Sequence, residues 1–100
     1  MLNANFYALK AARKVVEQYR NSNARLYQEY RGTYRILQLA VKQGWILDSY
    51  GDGKEGFYMY FTKENGSFLK LPFYEYTEML VCKAFFHAFF AAKNLNNLCF

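Results

Sequence analysis

The amino-acid sequence predicts a single α+β domain with helices at both ends and a small sheet between them. Apolar residues recur at helical spacing in residues 1–43, and short apolar runs separated by turn residues follow in 45–73. A last segment, 74–93, is apolar on nearly every side. One hundred residues are enough for one domain with its own core. We expect an N-terminal helical hairpin (or one long helix), a three-stranded antiparallel meander and a C-terminal apolar helix.

The N-terminal segment has an amphipathic pattern. When residues 3–43 are placed at roughly 100° per residue, one side holds Ala8, Ala12, Val15, Val16, Tyr19, Tyr30, Tyr34, Leu37 and Val41. One unbroken helix would be roughly 60 Å long, whereas a domain of this size is only about 30–35 Å across. We expect a break at residues 21–23, with Ser22 or Asn23 capping the second helix. A turn near Gly32 and a protruding long helix are the alternatives.

The central segment predicts three strands, Trp45–Tyr50, Phe57–Thr62 and Phe68–Phe73. A glycine-rich loop separates the first two strands. The Asn65-Gly66 pair between the last two is typical of a two-residue hairpin loop. Such a loop would pair Tyr60 with Leu71 and Tyr58 with Phe73.

The C-terminal segment predicts a buried helix over residues 74–93, because Leu80, Val81 and four phenylalanines surround its axis. This helix either lies between the sheet and the N-terminal helices or forms a dimer interface. The candidate association surface consists of Phe85, Phe86, Phe89 and Phe90. Residues 94–100 have low helix propensity and are expected to form a frayed tail.

Positive charge is concentrated in the N-terminal part of the chain. Residues 1–43 carry eight Lys and Arg against two acids, a net charge of +6, whereas the whole chain carries +5. All five arginines belong to this part. The candidate binding stripe, on the side of the helices opposite the apolar residues, consists of Lys10, Arg13, Lys14, Arg20, Arg31, Arg35 and Lys42. Such side chains can follow a phosphate backbone. The alternative is a solvated face, but such faces usually mix acids among the bases.

Two further features suggest contacts with nucleic acid. Tyr58 and Tyr60 on the predicted sheet are candidates for base stacking, and packing under a helix or a partner subunit is the more ordinary role. A winged helix-turn-helix would place Gly32 in the turn and Arg35 and Lys42 toward DNA. Against it, Arg31 and Gln38 occupy positions that are normally apolar in that motif.

No catalytic or cofactor signature is present, and we expect a protein that is not an enzyme. His87 is the only histidine, and a hydrogen-bonded structural role among phenylalanines is expected for it. The two cysteines, Cys82 and Cys99, lack metal-ligand spacing, and reduced thiols are expected. The N-terminus lacks a signal-peptide pattern, and the longest apolar run, residues 79–92, is too short and too polar to span a membrane. A cytoplasmic protein without a metal or membrane partner is expected.

Three functions fit this sequence. The first is a non-catalytic protein that contacts nucleic acid or a ribonucleoprotein through the stripe. The second is a small phage- or mobile-element-type inhibitor or accessory protein that binds another protein, such as a nucleic-acid-processing defence effector. Small size and the abundance of Asn, Lys, Tyr and Phe suggest this one. The third is a homodimeric structural protein.

Overall fold

A computed structural model describes residues 3–54 and 56–98 and confirms the α+β prediction. The elements in chain order are α1 (Ala4–Glu17), α2 (Ala24–Lys42), β1 (Ile46–Gly53), β2 (Gly56–Thr62), β3 (Phe68–Phe73) and α3 (Tyr76–Leu98). The three strands form one antiparallel sheet in the order β1-β2-β3. The chain therefore has a helical hairpin, a meander and a C-terminal helix.

The predicted break between the first two helices is confirmed, and Asn23 is the capping residue. Helix α1 ends at Glu17, and the side-chain oxygen of Asn23 accepts a hydrogen bond of 3.1 Å from the Leu26 amide. Ser22 donates its hydroxyl back to the Gln18 carbonyl at 3.4 Å instead of capping α2. The chain can reverse here because α1 has ended at Glu17, and because the Asn23 side chain satisfies a backbone amide in the first turn of α2 that has no partner within the helix.

Helix α2 continues through Gly32, so the turn considered there is wrong. Residues 24–42 form one uninterrupted helix of 19 residues. The winged helix-turn-helix considered from the sequence has its turn at Gly32, and that version of the motif is therefore excluded. A glycine inside a helix weakens it by only about 1 kcal/mol, which neighbouring turns and tertiary packing offset.

The second hairpin has a different register from the predicted one. The Lys63 amide donates to the Ser67 carbonyl at 3.1 Å, and the Gly66 amide donates to the Lys63 carbonyl at 3.0 Å. Gly66 has φ of +86°, so the loop has three residues and ends in a glycine bulge. Consequently Tyr60 pairs with Lys70 and Tyr58 with Pro72, one residue away from the predicted partners.

This register divides the sheet into two chemically distinct faces. Phe57, Met59 and Phe61 of β2 are buried together with their cross-strand neighbour Phe73. Tyr58 and Tyr60 lie on the opposite face beside exposed residues of β3. A one-residue slip would exchange these partners, which is why the loop length decides which β3 side chains enter the core.

Helix α3 lies between the sheet and the helical hairpin, as one of the two alternatives predicted. The rings of Phe85 and Phe61 are 6.4 Å apart, and those of Phe86 and Phe57 are 5.6 Å apart, so α3 covers the inner face of the sheet. The same helix packs on α1 and α2, which contribute Ala8, Ala12, Val16, Tyr30 and Leu37 to a common core. The helix extends to Leu98, five residues beyond its predicted end, and residues 99–100 lie outside the described part.

The phenylalanines of α3 are core residues in this fold. Phe85, Phe86 and Phe89 are at most 5% exposed, and Phe90 is half-buried. The predicted association surface is therefore wrong for the first three, because the domain's own sheet and helices already cover them. Burial of these rings in the core accounts for part of the aromatic content of the sequence.

Substitution of two glycines by alanine should change the free energy of unfolding in opposite directions. Gly32 has open space where the methyl group of an alanine would lie, so Gly32→Ala should stabilise the protein by roughly 0.5–1 kcal/mol. Gly56 has φ of +136°, and a methyl group there would lie 2.7 Å from the Phe73 carbonyl oxygen. Gly56→Ala should therefore destabilise by about 2 kcal/mol. Urea unfolding of both variants measures the difference, and a destabilised Gly32→Ala protein would contradict a continuous α2.

Candidate functional site

A polar groove of about 510 Å³ runs between α1 and α2, and four arginines line it. Its lining residues are Arg13, Val16, Glu17, Arg20, Tyr27, Arg31, Tyr34, Arg35 and Gln38. Four arginines and one glutamate give this groove a net charge of +3. The predicted stripe is thus folded by the hairpin into a concave surface whose two walls belong to different helices.

The spacing of these residues along each helix brings their side chains to the face that lines the groove. On α2, the lining residues are separated by one, three or four positions and therefore share one face of the helix. They are Tyr27, Arg31, Tyr34, Arg35 and Gln38. The adjoining side of α2 faces the core, where Leu37 is fully buried, and Tyr34 lies at the boundary between the two sides.

The wall formed by α1 has the same construction. Arg13 and Glu17 are one turn apart, and Arg20 follows in the connecting turn after the helix has ended. Val16, which is 3% exposed, belongs both to the groove and to the core. Core packing of this wall therefore fixes the position of the arginines on it.

Tyr19 and Tyr30 hold the two helices together at the turn. Their ring centroids are 4.5 Å apart, and the Tyr30 side chain is buried. Burial raises the pKa of Tyr30 to about 12, and the neighbouring Tyr19 adds to the shift. The neutral phenol of Tyr30 is therefore part of the packing between α2 and the turn that follows α1.

The two acids of the N-terminal part are paired with only two of the bases. Arg20 donates to Glu17 at 3.4 Å, and Arg25 lies 3.4 Å from Glu29. Both pairs are solvent-exposed, and such pairs contribute little to stability. Within residues 3–54 and 56–98, Arg13, Arg31 and Arg35 have no acidic partner. Three of the four groove arginines are therefore available to an anion.

The rest of the predicted stripe is distributed unevenly. Lys10 and Lys14 line a shallower hollow along α1 together with Arg13 and Glu17, so this part is continuous with the groove. Lys42 is exposed near the end of α2 but lines neither concavity. Arg25, which is not a member of the stripe, lines a different surface with Glu29, Glu75 and Glu78.

The candidate stacking tyrosines belong to another surface. Tyr58 and Tyr60 lie on the outer face of the sheet, and neither lines the groove. The Lys70 ammonium is 4.4 Å from the Tyr58 ring centroid and 5.9 Å from that of Tyr60. Phe68, whose ring is 5.7 Å from Tyr60, is 62% exposed. This face is therefore aromatic with one cation, and its rings already contact that cation.

His87 and Cys82 are not among the residues that line the groove. His87 is exposed on α3 with its ring 4.3 Å from Phe86, and the hydrogen-bonded structural role expected for it stays a prediction. Cys82 is fully buried, and burial raises the pKa of its thiol, which keeps it protonated. Cys99 lies outside the described residues. In the described ranges, no three His, Cys, Asp or Glu residues come together in a way that would hold a metal.

Comparison of the chain with models of protein families, with curated proteins and with solved structures finds no match. None of the helices in the described ranges is both long and apolar enough to cross a bilayer.

The sequence pattern identifies the arginines of the groove but not its other members. It singles out neither Tyr27 nor Gln38, and it places Tyr34 on the apolar side of the helix. The signal that could have found them is the spacing of Tyr27, Arg31, Tyr34 and Gln38, which repeats every three to four residues. This spacing becomes informative only once the hairpin shows which side of α2 faces the α1 wall.

The raised pKa of Tyr30 predicts a loss of stability in alkaline solution. The unfolded phenol ionises near pH 10, whereas the folded one ionises near 12, so the unfolded state loses its proton first. The stabilisation is fully present below about pH 10 and is lost as the pH rises toward 12. Tyr30→Phe should show a shallower loss of unfolding free energy than the unmodified protein over this range. Urea midpoints on either side of about pH 10 measure it, and equal losses in the two proteins would contradict the burial of this hydroxyl.

Proposed function

We propose that the protein is a non-catalytic nucleic-acid-binding protein that holds a sugar–phosphate backbone, free or within a ribonucleoprotein, in the groove between α1 and α2. The observation that carries this proposal is the convergence of Arg13, Arg20, Arg31 and Arg35 on one concave surface that contains a single acid. Charge of this density in a groove attracts a polyanion.

Arginine suits phosphate better than lysine does. The guanidinium is planar, permanently charged and able to donate two parallel hydrogen bonds to one phosphate. Arginines on both walls can contact successive phosphates of one strand, which gives affinity without reading the base sequence. The half-buried Tyr27 and Tyr34 add phenol groups to the lining, and hydroxyl groups of this kind also contact the backbone of nucleic acids.

Repulsion between its arginines distinguishes this groove from an ordinary solvated helix face. Like charges on neighbouring helical positions destabilise a protein slightly, and most surface helices relieve this with acids one turn away. Here Glu17 reaches only Arg20, and Arg31 and Arg35 are one turn apart on the same helix without an acid. A bound phosphate chain would neutralise this repulsion.

The most exposed apolar side chains lie outside the groove, and their location favours nucleic acid over an acidic protein surface as the ligand. Protein interfaces are built around desolvated apolar or aromatic anchors at their centre. The large side chains with the greatest exposure, Phe6, Phe68, Tyr74 and Tyr76, are not among the lining residues of the groove.

The two alternative functions, the inhibitor and the homodimeric structural protein, stay predictions. Recovery of one protein from nuclease-treated lysate would support the inhibitor, and light scattering tests the dimer.

Removal of two groove arginines should weaken binding in a salt-dependent way. With four phosphates contacted, log K against log salt should have a slope of about −3 to −4, and each lost contact reduces it by nearly one. The double variant Arg31→Gln/Arg35→Gln should lower affinity on the order of 100-fold at about 50 mM salt. Fluorescence anisotropy with a labelled mixed-sequence oligonucleotide measures both quantities.

The matched control for this experiment is Arg25→Gln/Lys83→Gln, which removes the same charge from exposed positions outside the groove. Its salt slope should equal that of the unmodified protein. Equal weakening by both double variants would mean that net charge alone attracts the oligonucleotide. Absence of binding at low salt would refute the proposal.

Glu17 should oppose binding because it is the one acid that lines the groove. Glu17→Gln removes the carboxylate that competes with a phosphate for Arg20, and it should raise affinity by about 1.5- to fivefold, which is the value of one exposed charge interaction. Glu29→Gln is its control, since Glu29 pairs with Arg25 away from the groove. Titrations at one salt concentration compare the two variants, and an unchanged or reduced affinity for Glu17→Gln would place the phosphates elsewhere.

A further inference from the structure

A second concavity, mainly apolar, lies along the other flank of α1, where this helix packs against α3. It has a volume of about 450 Å³. Its lining residues are Tyr7, Lys10, Ala11, Lys14, Ala88, Ala91, Ala92 and Leu95. Among the described residues that line this α1–α3 cleft are two lysines and no acid, so the cleft combines an apolar lining with a positive rim.

Larger side chains flank this cleft, and alanines line it between them. Tyr7 is 43% exposed and Leu95 is 51% exposed, whereas the floor consists of alanines whose side chains end at Cβ. Alanine offers no hydrogen-bonding group from its side chain. A group that fits here must therefore be flat or narrow and at least partly apolar, with a negative charge near the lysines.

The cleft and the arginine groove are connected across α1. Lys10 and Lys14 line the cleft and also the hollow that contains Arg13 and Glu17, and those two residues in turn line the arginine groove. A chain of phosphates that leaves the groove over Arg13 therefore reaches the lysine rim of the cleft without crossing another element. This continuity indicates that one nucleic-acid strand can occupy both surfaces.

Exposed aromatic rings at the start of α1 point to the same occupant. Phe6 is 60% exposed, and its ring stands edge-on to that of Tyr7 with centroids 6.0 Å apart and planes at 88°. Solvent-exposed rings beside lysines are typical of proteins that bind single strands, because each base has a face that stacks on an aromatic ring. Bases within a duplex are already stacked and cannot reach such a ring.

We infer that the α1–α3 cleft accepts an unpaired base of a single-stranded nucleic acid, stacked on Tyr7, while the flanking phosphates lie on Lys10 and Lys14. This inference rests on the proposed function and adds to it the class of ligand, a single strand instead of a duplex. The alanine side chains of the floor donate and accept no hydrogen bonds, so the site should tolerate different bases.

The test compares one oligonucleotide as a single strand and as a duplex with its complement, using the whole 100-residue chain. The single strand should bind at least tenfold more tightly. Tyr7→Ala should reduce single-strand affinity by about tenfold, as expected for one stacked base, and leave duplex affinity unchanged. A fluorescent adenine analogue in the strand should be quenched on binding to the unmodified protein and not to Tyr7→Ala.

A second variant fills the cleft without touching the core. Ala91 is exposed on α3, so Ala91→Leu should leave folding intact while its side chain occupies the space of the base. It should reduce single-strand affinity as Tyr7→Ala does. Tyr76→Ala, which removes a tyrosine that is 72% exposed and lines neither concavity, is the control and should bind normally.

The outcomes separate this inference from the proposed function. Equal affinity for strand and duplex, with neither cleft variant affected, would overturn the base site and leave the arginine groove in place. A single-strand preference that survives both cleft variants but is lost in Tyr60→Ala would also overturn it, because the outer face of the sheet would then hold the base. Absence of binding to either form at low salt would refute both.

Discussion

The burial of α3 on two sides is the constraint on which the rest of this structure depends. One side carries Phe85 and Phe86 onto the inner face of the sheet, and the other side meets the helical hairpin. The sheet has only three strands and the hairpin only two helices, so neither would bury its apolar face without this helix. Because the apolar sides of α1 and α2 are taken up by α3, their basic sides face outward.

Helix α1 is consequently the element that both candidate surfaces share. Its buried stripe of Ala8, Ala12 and Val16 faces the core, and small residues there bring it close to its neighbours. One flank forms the arginine groove with α2, and the other forms the apolar cleft with α3. Lys10, Lys14 and Arg13 form a basic ridge that connects the two surfaces. The packing that stabilises the domain and the surface proposed to bind nucleic acid therefore depend on the same helix.

Much of the fold follows from local rules. The break before Asn23 follows from side-chain capping, and the strands follow from alternation between buried phenylalanines and half-buried tyrosines. The predicted register of the second hairpin and the turn considered at Gly32 were wrong, and each error has a physical cause. The Asn65-Gly66 pair fits both a two-residue and a three-residue loop, and the pairing of Leu71 with the buried Met59 goes with the longer one. Gly32 weakens a helix locally, but α2 continues through it because its other turns pack on the core.

For the candidate site, the sequence by itself determined which side chains are basic and that they lie opposite the apolar side of their helices, because helical periodicity and charge are local properties. Only the tertiary structure decided that Arg13 and Arg20 face Arg31 and Arg35 across one groove, that Lys42 stays outside it, and that the four phenylalanines of α3 belong mainly to the core. The reason is that the crossing of two helices, and the cover of a third, depend on contacts between residues far apart in the chain, which no local pattern specifies. The positive charge that the sequence shows as a stripe therefore becomes a concave surface only through packing.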